Sequence, residues 1–234
     1  MKIVLLFSAL FSLSSSVAQD NTKKIEMGFG GGGNYSFESP KPQSGKQFAL
    51  PGFHIGLGAK FNLSKRFFLI GQASFIKQFT KYSYNNLFTS DSIGSSHGSV
   101  ETTNSYSWIA LPMQVNYLIG NNKTKNFFFG LGFSPRRLLS SKTNIIYYRP
   151  GGPVVNGSPI GDRNNEWNLF ASVQTGFRLS LNQGGTVLIS LSYERSIFDV
   201  EKKYTLPANS TFDYNYVNSA TKMNSFSLGV SYCY

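Results

Sequence analysis

Cysteine is nearly absent. The 234-residue chain holds one, Cys233, which excludes a disulfide framework and a cysteine metal site. Histidine is almost as scarce, with only His54 and His97. General acid–base chemistry needs a histidine or paired carboxylates held together. His97 lies in Gly94-Ser-Ser-His-Gly98 with no carboxylate pair nearby, and His54 has no acidic neighbour in sequence. A packed or solvated histidine is the reading for each, and no metal-ligand spacing occurs. No catalytic, cofactor-binding or metal residue is therefore assigned, and the chain is read as non-enzymatic. Charge is also sparse, at 14% of residues, although the balance is basic at +11. The Lys and Arg residues are scattered rather than clustered, which argues against a nucleic-acid partner.

A long hydrophobic run is missing as well. The one apolar stretch, Ile3 to Leu13, falls short of the roughly 20 residues of a membrane-spanning helix. It follows Lys2 and leads into Ser14-Ser-Ser-Val-Ala18, the pattern of a secretory signal peptide. Residues 1–18 are expected to be cleaved after Ala18, leaving 19–234 as one exported domain.

Aromatics, at 15%, and glycine, with 23 residues, are plentiful, a composition suited to β-structure. Period-2 alternation marks eight strands, at about 26–37, 52–61, 67–79, 105–118, 127–138, 166–180, 186–197 and 222–234. In the last, Phe226, Leu228, Val230, Tyr232 and Tyr234 share one face, with Ser225, Ser227, Gly229, Ser231 and Cys233 on the other. Most runs exceed the five or six residues of soluble strands and match strands tilted across a bilayer. The connections 38–51, 62–66, 80–104, 119–126, 139–165, 181–185 and 198–221 alternate long and short. An even strand number with tight turns on one rim and long loops on the other is the pattern of an outer-membrane barrel. The expected fold is all-β: an eight-stranded antiparallel up-and-down transmembrane β-barrel, apolar side to lipid, located in the cell outer membrane.

Glycines Gly28, Gly30 and Gly33 form a literal G-x-G-x-x-G, but Pro40 and Pro42 stand where a phosphate-binding helix would have to open. Small residues on a first strand that bends in a narrow barrel account for them instead. Register through the first hairpin places Glu26 level with Lys60 near the turn-side rim. Arg136 and Glu194 fall at similar heights toward the loop-side rim, one strand apart. Buried charges must be paired, so these four are expected to form interior ionic contacts. Tyr106, Trp167, Tyr193, Tyr232 and Tyr234 sit near strand ends and suit interfacial girdles. Trp108 is out of step with Ile109, Leu111 and Met113, which points to the interior or a bulge. The loop cations Lys41, Lys46, Lys142, Arg149, Lys202 and Lys203 suit pairing with the phosphates of lipopolysaccharide, although solvated loops are the ordinary reading.

The segment "WIALPMQVNY" (Trp108–Tyr117), with "FFFGLGF" (Phe127–Phe133) and the aromatic final strand, resembles the PorT-like outer-membrane β-barrel family of Bacteroidota. That resemblance implies the fold, the location, and for some members a part in type IX protein secretion alongside secretion-system proteins. The aromatic end at Tyr234 resembles an insertion signal read by the barrel assembly machinery. Function is expected to be binding, adhesion or structural, in a monomer whose four long loops face outward among outer-membrane lipid. A secretion component is the first alternative and a lipid-modifying enzyme the second. A diffusion pore is disfavoured because eight strands leave no open channel.

Overall fold

A computed structural model of the protein describes residues 25–39, 45–91, 94–120, 122, 124–148, 155–157, 165–181, 185–200 and 221–234, with backbone alone at 84–91, 94–97, 147 and 155–157. The expected signal segment, and Lys41, Arg149, Lys202 and Lys203, lie outside the described residues.

The strands are β1 (Ile25–Ser39), β2 (Gly45–Asn62), β3 (Phe67–Asp91), β4 (Gly94–Ala110), β5 (Met113–Ile119), β6 (Lys125–Tyr148), β7 (Val155–Gly157), β8 (Trp167–Ser180), β9 (Thr186–Ser196) and β10 (Lys222–Cys233). All pairings are antiparallel, and β10 returns to β1 from Gly28↔Cys233 to Ser39↔Lys222, closing the sheet on itself. Closure leaves no open edge within the bilayer, where unpaired N–H and C=O groups could find no water.

Ten strands make eight staves. β4 and β5 are two halves of one stave, since β3 and β6 each pair with both. The break falls at Leu111–Pro112 because proline has no N–H to give the ladder. Neighbouring backbone spans it: Leu111 N donates to the Pro135 carbonyl at 3.0 Å, and Gln72 N donates to the Pro112 carbonyl at 3.0 Å. β7 is a short strand added to the upper part of β6.

The two faces separate as the alternation predicts. Leu57 is 70% exposed, and Phe29, Leu131, Leu228 and Val230 also project outward. Asn34, Gln78, Asn116 and Ser134 are buried in the lumen. The apolar β3 run Phe67–Ile70 resolves into Phe67 outside and Phe68 inside. Two of the β1 glycines contrast by face. A Cβ on inward Gly32 would collide with the Leu228 carbonyl and come within 2.9 Å of the His54 ring, whereas one on outward Gly33 meets nothing closer than 3.9 Å.

The lumen is not uniformly polar. Near the short turns, which mark the periplasmic rim, Phe68, Leu118, Phe128 and Leu188 form one buried cluster. Near the other rim, Ile76, Tyr106, Trp108, Ala110, Phe170, Val200 and Met223 form a second. Between them lies a cavity of about 80 Å³, space for a few waters.

Three of the expected long loops hold strand: 80–104, 139–165, and 38–51, where β2 begins at Gly45. β3 runs to Asp91 and β4 begins at Gly94, so most of 80–104 is a hairpin, and β6 continues to Tyr148 into the expected loop 139–165. Alternating Thr, Tyr and Asn carry these extensions, for example Thr80 and Tyr82 opposite Asn104 and Thr102. Such residues need no lipid-facing side, and the inward ones, Thr80 and Tyr82, are buried with hydrogen-bond partners. β2 joins this sheet through Gly45↔Tyr84 to Leu50↔Phe79.

Candidate functional site

Glu26 and Lys60 are direct cross-strand partners of β1 and β2, and their side chains meet inside at 2.5 Å. Lys60 is fully buried. Its Nζ lies 5.9 Å from the centre of the Phe68 ring, and Asn62 Nδ2 donates to the same Glu26 oxygen at 3.0 Å. Removing both charges from water is costly, and a short hydrogen-bonded contact offsets it.

In the upper half, Arg136 Nη2 donates to Glu194 Oε2 at 2.5 Å. The pair spans a stave, because β8 stands between β6 and β9. The guanidinium lies 3.8 Å over the Phe170 ring, a cation–π contact strengthened by exclusion of water, and Arg136 Nε donates to Ser134 Oγ at 3.3 Å.

A third interior carboxylate, Glu38, was not legible as such because it lies two residues before Pro40 and falls in an expected loop. It is buried and accepts three hydroxyl bonds, from Thr80 Oγ1 (2.7 Å), Tyr82 (2.5 Å) and Tyr106 (3.0 Å). The available signal was parity, since Asn34, Ser36 and Glu38 continue the inward face of β1 past the expected end at 37.

This overturns the expectation that Tyr106 is an interfacial aromatic. Tyr106 shares the parity of Trp108, so both enter the lumen, where they stack at 6.2 Å between centroids. Trp108 is fully buried, edge-on to Phe170, beside a register shift between Ser107 and Trp108. The other four aromatics have outward parity. Trp167 is exposed beneath Arg137 at 5.7 Å. Tyr193 packs on Phe226 at 5.0 Å and donates to Asn224 Oδ1 at 2.8 Å. Tyr232 and Tyr234 stack on each other at the periplasmic end.

His54 and Glu194 line the same central cavity, together with Ser74, Ser190 and Ser225. Acyl transfer would need a serine hydrogen-bonded to the imidazole and space for a substrate carbonyl. Among the described residues His54 joins no serine, and the cavity lies between two apolar clusters. Its geometry fits held water. Among the described residues no three His, Cys, Asp or Glu side chains gather as a metal site.

On the outward face of the upper sheet, Lys81 pairs with Glu101 at 2.9 Å and Tyr148 donates to Glu101 at 3.2 Å. Lys46 and Lys142 are exposed on the same side.

A closed antiparallel ring of eight staves, apolar outside and hydrogen-bonded inside, defines an outer-membrane β-barrel, and the protein resides in the cell outer membrane. Residues 17–150 match the outer membrane protein beta-barrel domain, and the chain belongs to that family. Among solved structures it is similar to Neisserial surface protein A (11% identity, TM-score 0.44, 91% of this chain and 98% of that one). It is also similar to OprG of Pseudomonas aeruginosa (12%, TM-score 0.43, 91% and 97%). A third is Ail, the attachment invasion locus protein of Yersinia pestis (12%, TM-score 0.37, 91% and 100%). No curated protein matches the sequence significantly.

Proposed function

We propose that the protein is a non-enzymatic binding module of the cell surface, with the barrel as anchor and the sheet above it as the contact surface. The carrying observation is the overshoot of β3. Among the described side chains its outward apolar positions end at Phe79, yet the strand continues to Asp91. At about 3.3 Å per residue and a tilt of about 40°, that extension rises roughly 30 Å above the apolar band. β2, β4, β6 and β7 widen it into a sheet. Binding residues concentrate where a rigid scaffold holds them clear of its own fold, and the strands of this sheet are continuous with those of the barrel.

The test removes the upper hairpin. Residues 83–101 are replaced by an Asn-Gly turn, a two-residue hairpin connection, so that Tyr82 and its bond to Glu38 are kept. Cells displaying the full chain or the shortened one are compared for binding to immobilised host-matrix proteins, glycans and envelope proteins. Binding by the full chain, abolished in a shortened chain that still inserts, is the expected result. Equal binding by both sinks the proposal. The resemblance to PorT-like barrels supports a competing secretion role, for which the same sheet would dock a protein subunit. Co-purification of secretion-system proteins with the full chain would favour that role.

A further inference from the structure

On the outer wall, at the top of the apolar band, three cations surround a floor of serines. Ser107 stands opposite Lys77 on one side and Ser140 on the other. Two residues down β4, Ile109 stands opposite Arg137, and two residues up, Ser105 stands opposite Lys142. Lys77, Arg137 and Lys142 are therefore direct or diagonal neighbours of Ser107, within about 8 Å in a sheet. Lys77 Nζ donates to Ser107 Oγ at 2.8 Å, which holds it over the floor. Arg137 rests against the exposed Trp167 ring.

Near the interface a lone cation costs little, but an anion beside it adds charge-assisted bonds. Among the described residues these three have no carboxylate partner; Glu101, further up β4, is engaged by Lys81 and Tyr148. Immediately below, Ile109 and Phe133 are outward and exposed, a wall for acyl chains. We infer that Lys77, Arg137 and Lys142 form a site for the phosphorylated saccharide headgroup of an outer-leaflet lipid. Its phosphate would take charge-assisted bonds from the cations while its chains lie on the band beneath. Ser105 and Ser140 keep the floor low, and exposed Leu139 and the neighbouring Phe79 border it. The inference does not depend on what the upper sheet binds.

The experiment uses the full chain in phosphatidylcholine nanodiscs doped with diphosphoryl lipid A or its dephosphorylated form, with retained lipid read by native mass spectrometry. Occupancy by the diphosphoryl form is expected to exceed that of the dephosphorylated form by about tenfold or more. The triple variant Lys77→Gln, Arg137→Gln, Lys142→Gln is expected to fall to the dephosphorylated level. The control Lys46→Gln, Lys125→Gln, which removes two outward cations elsewhere, should leave occupancy unchanged. Millimolar inorganic phosphate should not displace the lipid. Retained occupancy in the triple variant, equal loss in the control, or displacement by inorganic phosphate each overturns the site. If the triple variant does not insert, Lys142→Gln alone, at an exposed position, is expected to lower occupancy about threefold, and no change overturns the proposal.

Discussion

In the lower half of the lumen, Lys60 and Glu26 are held together by strand register, one residue opposite the other on neighbouring staves. In the upper half, Arg136 reaches over β8 to Glu194, and a second carboxylate, Glu38, is held by hydroxyl groups. Each half packs its ion pair against an aromatic ring, Phe68 below and Phe170 above. The difference lies in what makes each contact possible. A cross-strand pair needs only a hairpin, whereas a pair that skips a stave needs the curvature of a closed ring. The upper half thus depends on completed tertiary structure, and its charges are set among the bulkier residues of the lumen.

Substitutions can break that contrast, with stability read by urea unfolding of the protein folded in lipid vesicles. Arg136→Met should be the most damaging, at about 4–5 kcal/mol, because it strands Glu194 in the lumen and removes the stack on Phe170. Adding Glu194→Gln should restore most of that loss; no restoration would mean that Arg136 acts through packing alone. Lys60→Met should cost less, about 3 kcal/mol, since Asn62 continues to donate to Glu26. Equal or greater cost than Arg136→Met would reverse the ranking of the two halves. Glu38→Gln should cost about 1–2 kcal/mol. The amide keeps one acceptor oxygen but offers an NH₂ where Tyr82 or its partners now donate. A loss as large as that of Arg136→Met would show that an unseen cation shares the Glu38 site. Trp108→Phe should have the smallest effect, about 1 kcal/mol. Among the described residues the indole Nε1 has no hydrogen-bond partner, so the substitution forfeits ring volume alone.

The lower half was the more legible in sequence. Glu26 and Lys60 follow from one hairpin whose register is set by the turn near 62–66, and their alternation is unbroken. The upper half was harder because strand ends are poorly marked where water replaces lipid. Polar alternation such as Thr80-Lys-Tyr82 looks like loop when judged for an apolar face, so Glu38 and the extensions of β3, β4 and β6 were placed outside strands. Tyr106 was misplaced by the same error. Its nearness to an expected strand end suggested an interface, while its shared parity with Trp108 pointed inward.

Local alternation by itself determined that this chain has two faces, eight staves and an apolar exterior, because side chains on a strand must point to opposite sides in turn. It also determined that any carboxylate on the inward face would need partners. Tertiary structure alone decided which partners those are, and where each strand stops. Contacts across the lumen depend on how the ring closes, which brings together residues as remote as Glu38 and Tyr106. The height of the sheet above the membrane depends on pairing with neighbours, and no single strand carries that information.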